Sequence, residues 1–116
     1  MTLKWLSSYA PVDEEFDKVS LLLHGDGTNG STTIIDISSS PKAVTAVGDA
    51  QISTAQSKFG GASIAFDGAG DWLTTPASNN FAFGIGDFTI EGWLYINEQH
   101  RSSTPRGIFQ QSSTLF

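Results

Sequence analysis

The sequence predicts an all-β fold, a sandwich or a barrel, in one domain. No segment of about ten residues or more shows the apolar period of 3.6 residues that an amphipathic helix requires. Short runs of apolar and β-branched residues recur along the chain instead, and Gly, Asn, Asp and Ser separate them. The 116 residues are also enough to bury a core without disulfides, and the sequence contains no Cys.

The first part of the chain, residues 1–18, differs from the rest and is predicted to be an N-terminal docking segment. It contains Trp5, Tyr9 and Pro11, followed by the acidic run "DEEFDK". Acidic residues just after a proline are typical of the first turn of a helix, because they interact favourably with its positive end. We therefore expect a helix of one or two turns, with a frayed terminus as the alternative.

From Val19 onward the pattern is that of short strands. "VSLLLH" is a compact apolar run that ends in turn residues, and "TTIIDIS" is β-branched and alternating. Between them, Asn29 and Gly30 are typical of a type I′ turn. "AVTAVGDAQIST" predicts one or two short strands, interrupted near Gly48 and Asp49.

The stretch "SIAFDGAGDWLTTP", residues 63–76, predicts a β-hairpin. Two apolar runs flank a cluster of Asp and Gly, which supply the backbone conformations that a tight reversal needs. Trp72 follows the turn, and we expect it to pack inside the fold, across to Phe66 or Phe88.

The clearest predicted strand is "DFTIEGWLYIN", residues 87–97, because its residues alternate over the whole length. A polar loop follows it, and "IFQQSS" is predicted to begin another strand. One face of residues 87–97 is the predicted core face and carries Phe88, Ile90, Leu94 and Ile96. The other face carries Thr89, Glu91, Trp93, Tyr95 and Asn97.

Three of these segments, in this order, resemble the laminin-G-like, concanavalin-A-like jelly-roll family. They are "LLLHGDGTNGSTTIIDIS", "AVTAVGDAQISTAQSKFGGASIAFDGAGDWLTTP" and "FAFGIGDFTIEGWLYIN", of which "KFGGASIAFDGAGDWL" is the most specific. The sequence is most similar to the branch found in structural and tail proteins of bacteriophages, cyanophages especially. The resemblance covers residues 19–116 and implies a jelly-roll β-sandwich there.

A jelly roll needs about eight strands in two sheets, and five to seven short ones are placed here. In the family, further strands follow the segment that corresponds to residues 87–97. We therefore expect these residues to be the N-terminal half of such a domain. Either the chain is partial, or strands of another chain complete the sheets, because an open half-sandwich leaves unpaired edges and an apolar face.

Charge excludes two classes of partner. Six basic residues against twelve acidic ones give a net charge of −6, and the basic residues are scattered, which disfavours nucleic acid and anionic membranes. No stretch approaches the roughly 20 apolar residues of a membrane helix, and the N-terminus lacks the apolar core of a secretory signal.

Catalysis is not predicted. Glycosidases with a concanavalin-A-like fold need two carboxylates roughly 5–9.5 Å apart. Glu91 stands without an acidic neighbour on its strand, and Asp87 lies in a glycine turn at the strand's start. His24 and His100 are far apart in sequence, so they do not suggest a metal site.

Calcium is a cofactor that the family resemblance implies for some members, held by Asp, Asn and backbone oxygens. The tightest acidic cluster is formed by Asp67 and Asp71, and it lacks the spacing of a calcium loop. The favoured interpretation is that both carboxylates accept backbone N–H groups of their own turn. The other acids considered stand at loops or strand ends: Asp26, Asp36, Asp49 and Asp87. No cofactor is therefore predicted, and a calcium ion is the alternative that the resemblance implies.

A glycan or a partner protein is the predicted ligand of the second face of residues 87–97. The site residues are Glu91, Trp93, Tyr95 and Asn97, because sugars stack on aromatic rings and bond to neighbouring polar groups. The competing interpretation is that these rings pack under another sheet or loop.

The expected function is a non-enzymatic structural or attachment module of a phage-like particle, located in the virion. Its expected partners are other virion proteins, copies of itself or a cell-surface glycan. The alternative is a carbohydrate-binding domain of a larger extracellular protein.

Overall fold

The computed structural model describes residues 13–97 and 107–111. Over these residues the chain forms four short strands in two antiparallel sheets, together with two 3₁₀ helices. The chain divides into two compact units, Met1–Pro76 and Ala77–Phe116. A small, mostly β fold is therefore confirmed.

All four strands lie in the first unit and have three residues each. They are β1 (Thr45–Val47), β2 (Gln51–Ser53), β3 (Ser63–Ala65) and β4 (Trp72–Thr74). β1 pairs with β4 and β2 pairs with β3, both antiparallel. In this register Ala46 lies opposite Leu73, and Ile52 lies opposite Ile64.

The predicted interruption near Gly48 and Asp49 is confirmed, since β1 ends just before it and β2 begins just after it. Gly48 has a φ of +70°, the left-handed region that favours glycine. A Cβ at this position would collide with the Asp71 carboxylate and lie 2.6 Å from the carbonyl oxygen of Gly70. The tight turn therefore depends on glycine here.

The two strands predicted within residues 63–76 are confirmed as β3 and β4, but the hairpin between them is wrong. Each strand pairs with a different partner, because the loop between them folds back on the turn after β1. Asp71 in that loop accepts a hydrogen bond from the backbone N–H of Asp49 at 2.6 Å, which holds β4 beside β1. Trp72 faces outward and is 54% exposed, so its predicted packing inside the fold is also wrong.

Both sheets contribute side chains to one apolar cluster. Its buried members are Ile34, Ile52 and Ala62, and Ile52 is fully buried. The partly buried residues packed on it are Leu23, Val44, Ala46, Ile64 and Leu73. The cluster follows from the alternation of the strands, which turns every second side chain inward.

The predicted strands at "VSLLLH" and "TTIIDIS" are reduced to isolated bridges, Leu23 with Asp36 and Ile35 with Ala43. From Ile35 to Ile37 the side chains alternate in the sense opposite to their hydrophobicity, whereas Ile34 just before them is buried. Asp36 is buried, whereas Ile35 and Ile37 are exposed. The reason lies in the hydrogen bonds of the Asp36 carboxylate, described below.

The turn predicted at Asn29 and Gly30 is confirmed, with a hydrogen bond from the N–H of Ser31 to the carbonyl of Thr28 at 3.0 Å. It is not a type I′ turn, because only Gly30 has a positive φ, +82°. The N–H of Gly30 and the carbonyl of Ser31 then bond to the backbone of Ile52, at 2.8 and 2.7 Å. The turn thereby covers the free edge of β2.

In the predicted docking segment, residues 1–12 lie outside the described part. A single 3₁₀ turn follows at Phe16–Lys18, so a short helix is confirmed in this region. The N–H of Glu15 bonds to the Asp13 carboxylate at 3.0 Å just before it, which is the local role expected of an acidic residue at a helix start.

The second unit begins with a 3₁₀ helix at Asn79–Phe81, and Ser78 caps it by accepting the N–H of Asn80 at 3.2 Å. Residues 87–97 follow and form no strand, which corrects the clearest strand prediction. The described part of "IFQQSS", residues 108–111, is not a strand either.

The predicted core face of residues 87–97 is wrong in this structure. Phe88, Ile90, Leu94 and Ile96 are between 53% and 71% exposed. The physical reason is that the stretch has no neighbouring strand among the described residues, and a strand's apolar face is buried only when a sheet exists to carry it.

Candidate functional site

Residues 87–97, hereafter the aromatic stretch, contain the predicted site and form the most apolar exposed segment of the described chain. Trp93 is 73% exposed and Tyr95 is 66% exposed, and Glu91 and Asn97 are exposed beside them. Since no strand forms, these four side chains are not aligned on a common strand face. They lie within seven residues of one another in the sequence, and all four are exposed to solvent.

The start of the aromatic stretch is anchored by an aromatic stack. The rings of Phe83 and Phe88 have centroids 4.5 Å apart and planes 13° apart. Phe83 is itself held in a turn, where its carbonyl accepts the N–H of Gly86 at 3.1 Å. Offset stacks of this kind contribute about 0.5–1.5 kcal/mol beyond burial. The first residues of the aromatic stretch are therefore fixed in place within the second unit by the contact of Phe88 with Phe83.

On either side of Trp93 the backbone of the aromatic stretch is open. Among the described residues, 87–92 and 94–97 take part in no hydrogen bond. Backbone N–H and C=O groups left in this way are available to solvent or to an added strand. The stretch thus offers two kinds of contact, aromatic rings that stack and a backbone that pairs.

The Asp67–Asp71 cluster is built as a turn, as predicted. Asp67 accepts the N–H of Ala69 at 2.6 Å, and Asp71 accepts the N–H of Asp67 at 2.7 Å in addition to that of Asp49. The hydrogen bond from the N–H of Asp67 lowers the pKa of Asp71 below its ordinary value, against a smaller opposing effect of burial. The carboxylate oxygens of Asp67 and Asp71 therefore act as acceptors for backbone N–H groups.

Over the described residues, no group of three His, Asp or Glu side chains is placed to hold a metal ion. Asp36, one of the acids considered for calcium, is buried and fully engaged by the backbone. Its Oδ1 accepts the N–H groups of Leu22 at 3.0 Å and Ser38 at 2.9 Å, and its Oδ2 accepts the N–H of Lys42 at 2.8 Å. Asp36 therefore has a structural role.

Lys42 completes this buried polar node. Its side chain is only 7% exposed, and its Nζ lies 4.0 Å from Oδ2 of Asp36. The ammonium donates to the carbonyl oxygens of Ser20 and Ser40, both at 2.6 Å. The Lys42 ammonium thereby links the backbone at Ser20 to the backbone at Ser40, although neither residue belongs to a strand.

The ionisation of Asp36 reflects the competition between burial and hydrogen bonding. Burial raises its pKa, but the N–H groups of Leu22, Ser38 and Lys42 together outweigh this and lower the pKa below its ordinary value. The folded chain therefore stabilises the ionised, carboxylate form of Asp36. Sequence reasoning missed this node, because an aspartate between two isoleucines in an alternating run is typical of an exposed face.

No family model, curated protein or solved structure matches this chain in the comparisons made. The described residues also contain no helix of the length and apolar character needed to cross a bilayer. The laminin-G-like resemblance consequently depends on the residue patterns of the chain itself.

Proposed function

We propose that this chain is a non-enzymatic structural and attachment module of a phage-like particle, built on a laminin-G-like jelly-roll β-sandwich. Three things support the proposal. The order of the sequence segments resembles that of the family, the first unit has two antiparallel sheets that share an apolar cluster, and the second unit exposes the aromatic stretch.

The observation that carries the proposal is the exposure of the aromatic stretch. Leaving apolar surface in water costs roughly 25 cal/mol per Å², so a contiguous run of exposed aromatic and aliphatic side chains marks an interaction site. Trp93 and Tyr95 belong to the residue types that dominate binding energy at protein interfaces. A module repeated many times in a particle gains further from avidity.

Immunogold labelling tests the virion location. Particles are purified from the source of the gene and probed with antibodies raised against the full chain, with and without prior detergent washing. The proposal predicts regular labelling at fixed positions on the particles. Labelling confined to unassembled protein in the supernatant would contradict it.

Carbohydrate binding is the second candidate, as a domain of a larger extracellular protein, and the solvent exposure of Trp93 and Tyr95 favours it. On a glycan array, W93A and Y95A are each expected to weaken binding about two- to tenfold, since one ring stack is lost in each. Binding is expected to be insensitive to EDTA, because the tightest acidic pair, Asp67 and Asp71, is engaged by backbone N–H groups.

The matched control for the array is W72A. Trp72 is the same residue type, is 54% exposed, and lies on β4 of the first unit. If W72A lowers glycan binding as much as W93A does, the loss reflects general stickiness of exposed indoles, and the aromatic stretch is not the glycan site.

A further inference from the structure

We propose that the aromatic stretch, residues 87–97, is a self-association site: it pairs with the same residues of a second copy as an antiparallel strand pair with its two-fold axis at Gly92. This deepens the proposed function by naming one partner, a copy of this chain, and it rests on that function only for its setting in an assembly.

The backbone supplies the first argument. Residues 87–92 and 94–97 make no hydrogen bond with other described residues, although the sequence alternates as a strand does over the whole stretch. An antiparallel partner would supply the missing N–H and C=O groups, each pair of residues exchanging bonds at every second position. Strand addition of this kind is an established mode of protein recognition.

The second argument is that the stretch complements itself in one register. With Gly92 opposite Gly92 of the other copy, Phe88 lies opposite Ile96 and Ile90 lies opposite Leu94. Four apolar pairs then share one face of the two-stranded sheet. Cross-strand pairs of aromatic and branched residues are the units that stabilise antiparallel sheets.

The other face is also compatible in this register. Glu91 lies opposite Trp93, and Asp87 lies opposite Asn97, so no two like charges are directly opposed. Shifting the axis by one residue to Glu91 would set the two Glu91 carboxylates directly opposite each other. The register centred on Gly92 avoids that repulsion. Unlike an axis at Ile90 or Leu94, it also sets every apolar residue of the face opposite another apolar residue.

Gly92 itself suits a position on the axis. A Cβ added there would meet no heavy atom within 4 Å, so the position is open to a second chain. Its φ is not in the left-handed region, so other residues are tolerated at this position in the monomer. This makes it a site where substitutions report on pairing and not on folding.

Cysteine cross-linking tests the register, because the natural chain has no Cys. In G92C the two sulfur-bearing residues face each other across the axis, with Cα atoms about 4.5–5.5 Å apart, within the range that a disulfide spans. In the matched control N97C they are about 33 Å apart along the paired strands. Mild oxidation is expected to give a covalent dimer of G92C and none of N97C.

Charge substitution tests the same contact without chemistry. G92D and G92K each oppose two like charges on the axis and are expected to weaken dimerisation about tenfold or more, whereas an equimolar mixture of the two variants restores it. Analytical ultracentrifugation of the full chain at about 0.15 M salt is the readout. The unaltered chain is expected to show a micromolar monomer–dimer equilibrium, since strand pairing alone buries less than the ~1,200–2,000 Å² of a standard interface.

Three results would overturn the inference: a chain still monomeric at about 0.5 mM, equal cross-linking of G92C and N97C, or dimers unaffected by G92D. The first would assign the aromatic stretch to a different partner. Failure here is distinct from failure of the proposed function. A monomer that still labels the particles overturns only the pairing, and a dimer absent from the particles overturns only the virion role.

Discussion

Replacing Asp36 by asparagine tests the most constrained contact of the first unit. The side chain is the same size, so packing is preserved, but one oxygen becomes an NH₂ group. If the remaining oxygen keeps the N–H groups of Leu22 and Ser38, the new amide must face the N–H of Lys42, donor against donor. The nearly buried Lys42 ammonium also loses the carboxylate 4.0 Å away.

The magnitude follows from these two losses. A buried donor left without an acceptor costs about 1–3 kcal/mol. Loss of the charge partner adds to this, but less than the 3–5 kcal/mol of a fully buried pair, because Lys42 keeps its two carbonyl acceptors. We expect D36N to lower the free energy of unfolding by about 2–4 kcal/mol, a large part of the roughly 5–15 kcal/mol typical of a domain.

Urea denaturation followed by circular dichroism and by the fluorescence of the three Trp residues measures this change. The matched control is D17N, which removes the same charge from an exposed residue and is expected to change stability by less than about 0.5 kcal/mol. A D36N protein as stable as D17N would refute the assignment of Asp36 as a structural node.

The same substitution changes the acid response. The folded-state pKa of Asp36 lies below its ordinary value of 3.8, so the carboxylate stabilises the fold fully above that value. Its contribution is lost as the pH falls below 3.8 and through the lower pKa of the folded state. Between neutral pH and acid, D36N should therefore lose less stability than the unaltered chain; equal losses would contradict this.

Two further sites give predictions of different physical origin. I52A is expected to cost about 2–5 kcal/mol and I52V about 0.5–1.5 kcal/mol in urea denaturation, since Ile52 is fully buried; a loss in I52A below about 1 kcal/mol would show a loose core. G48A and G61A both force alanine into a positive φ, but only at Gly48 does a Cβ collide with neighbours. G61A should therefore lower the free energy of unfolding by about 1 kcal/mol, with a modest fall in the melting temperature. G48A should lower both by clearly more. Equal effects would mean that the Asp71 loop yields to the added methyl group.

The part of the fold that sequence reasoning predicts is the part set by local chemistry. The turn at Gly48, the Asp67–Asp71 turn and the strands that flank them depend on glycine and aspartate within a few residues. Which strand pairs with which is decided by a contact 22 residues apart, from Asp71 to the N–H of Asp49. No pattern within 63–76 contains that information, so the hairpin was the wrong pairing of two correct strands.

Asp36 shows a different limit. Hydrophobic alternation places Ile35 and Ile37 inside and the aspartate outside, because transfer from water favours that arrangement. Three converging N–H groups and one ammonium reverse the preference, since a carboxylate with all these partners no longer requires water. Such convergence arises only in the folded chain and leaves no signature in neighbouring residues.

The aromatic stretch shows that a strand pattern and a strand are separate things. Alternation specifies which side chains share a face, but hydrogen bonds with a neighbour are needed to form a sheet, and a lone strand is not stable in water. Residues 87–97 have the pattern and, among the described residues, no neighbouring strand. The candidate site therefore follows from the mismatch itself: where alternation is strongest and pairing is missing, the unmet requirement is for another β-strand, and the residues best suited to recruit it are those already in solvent.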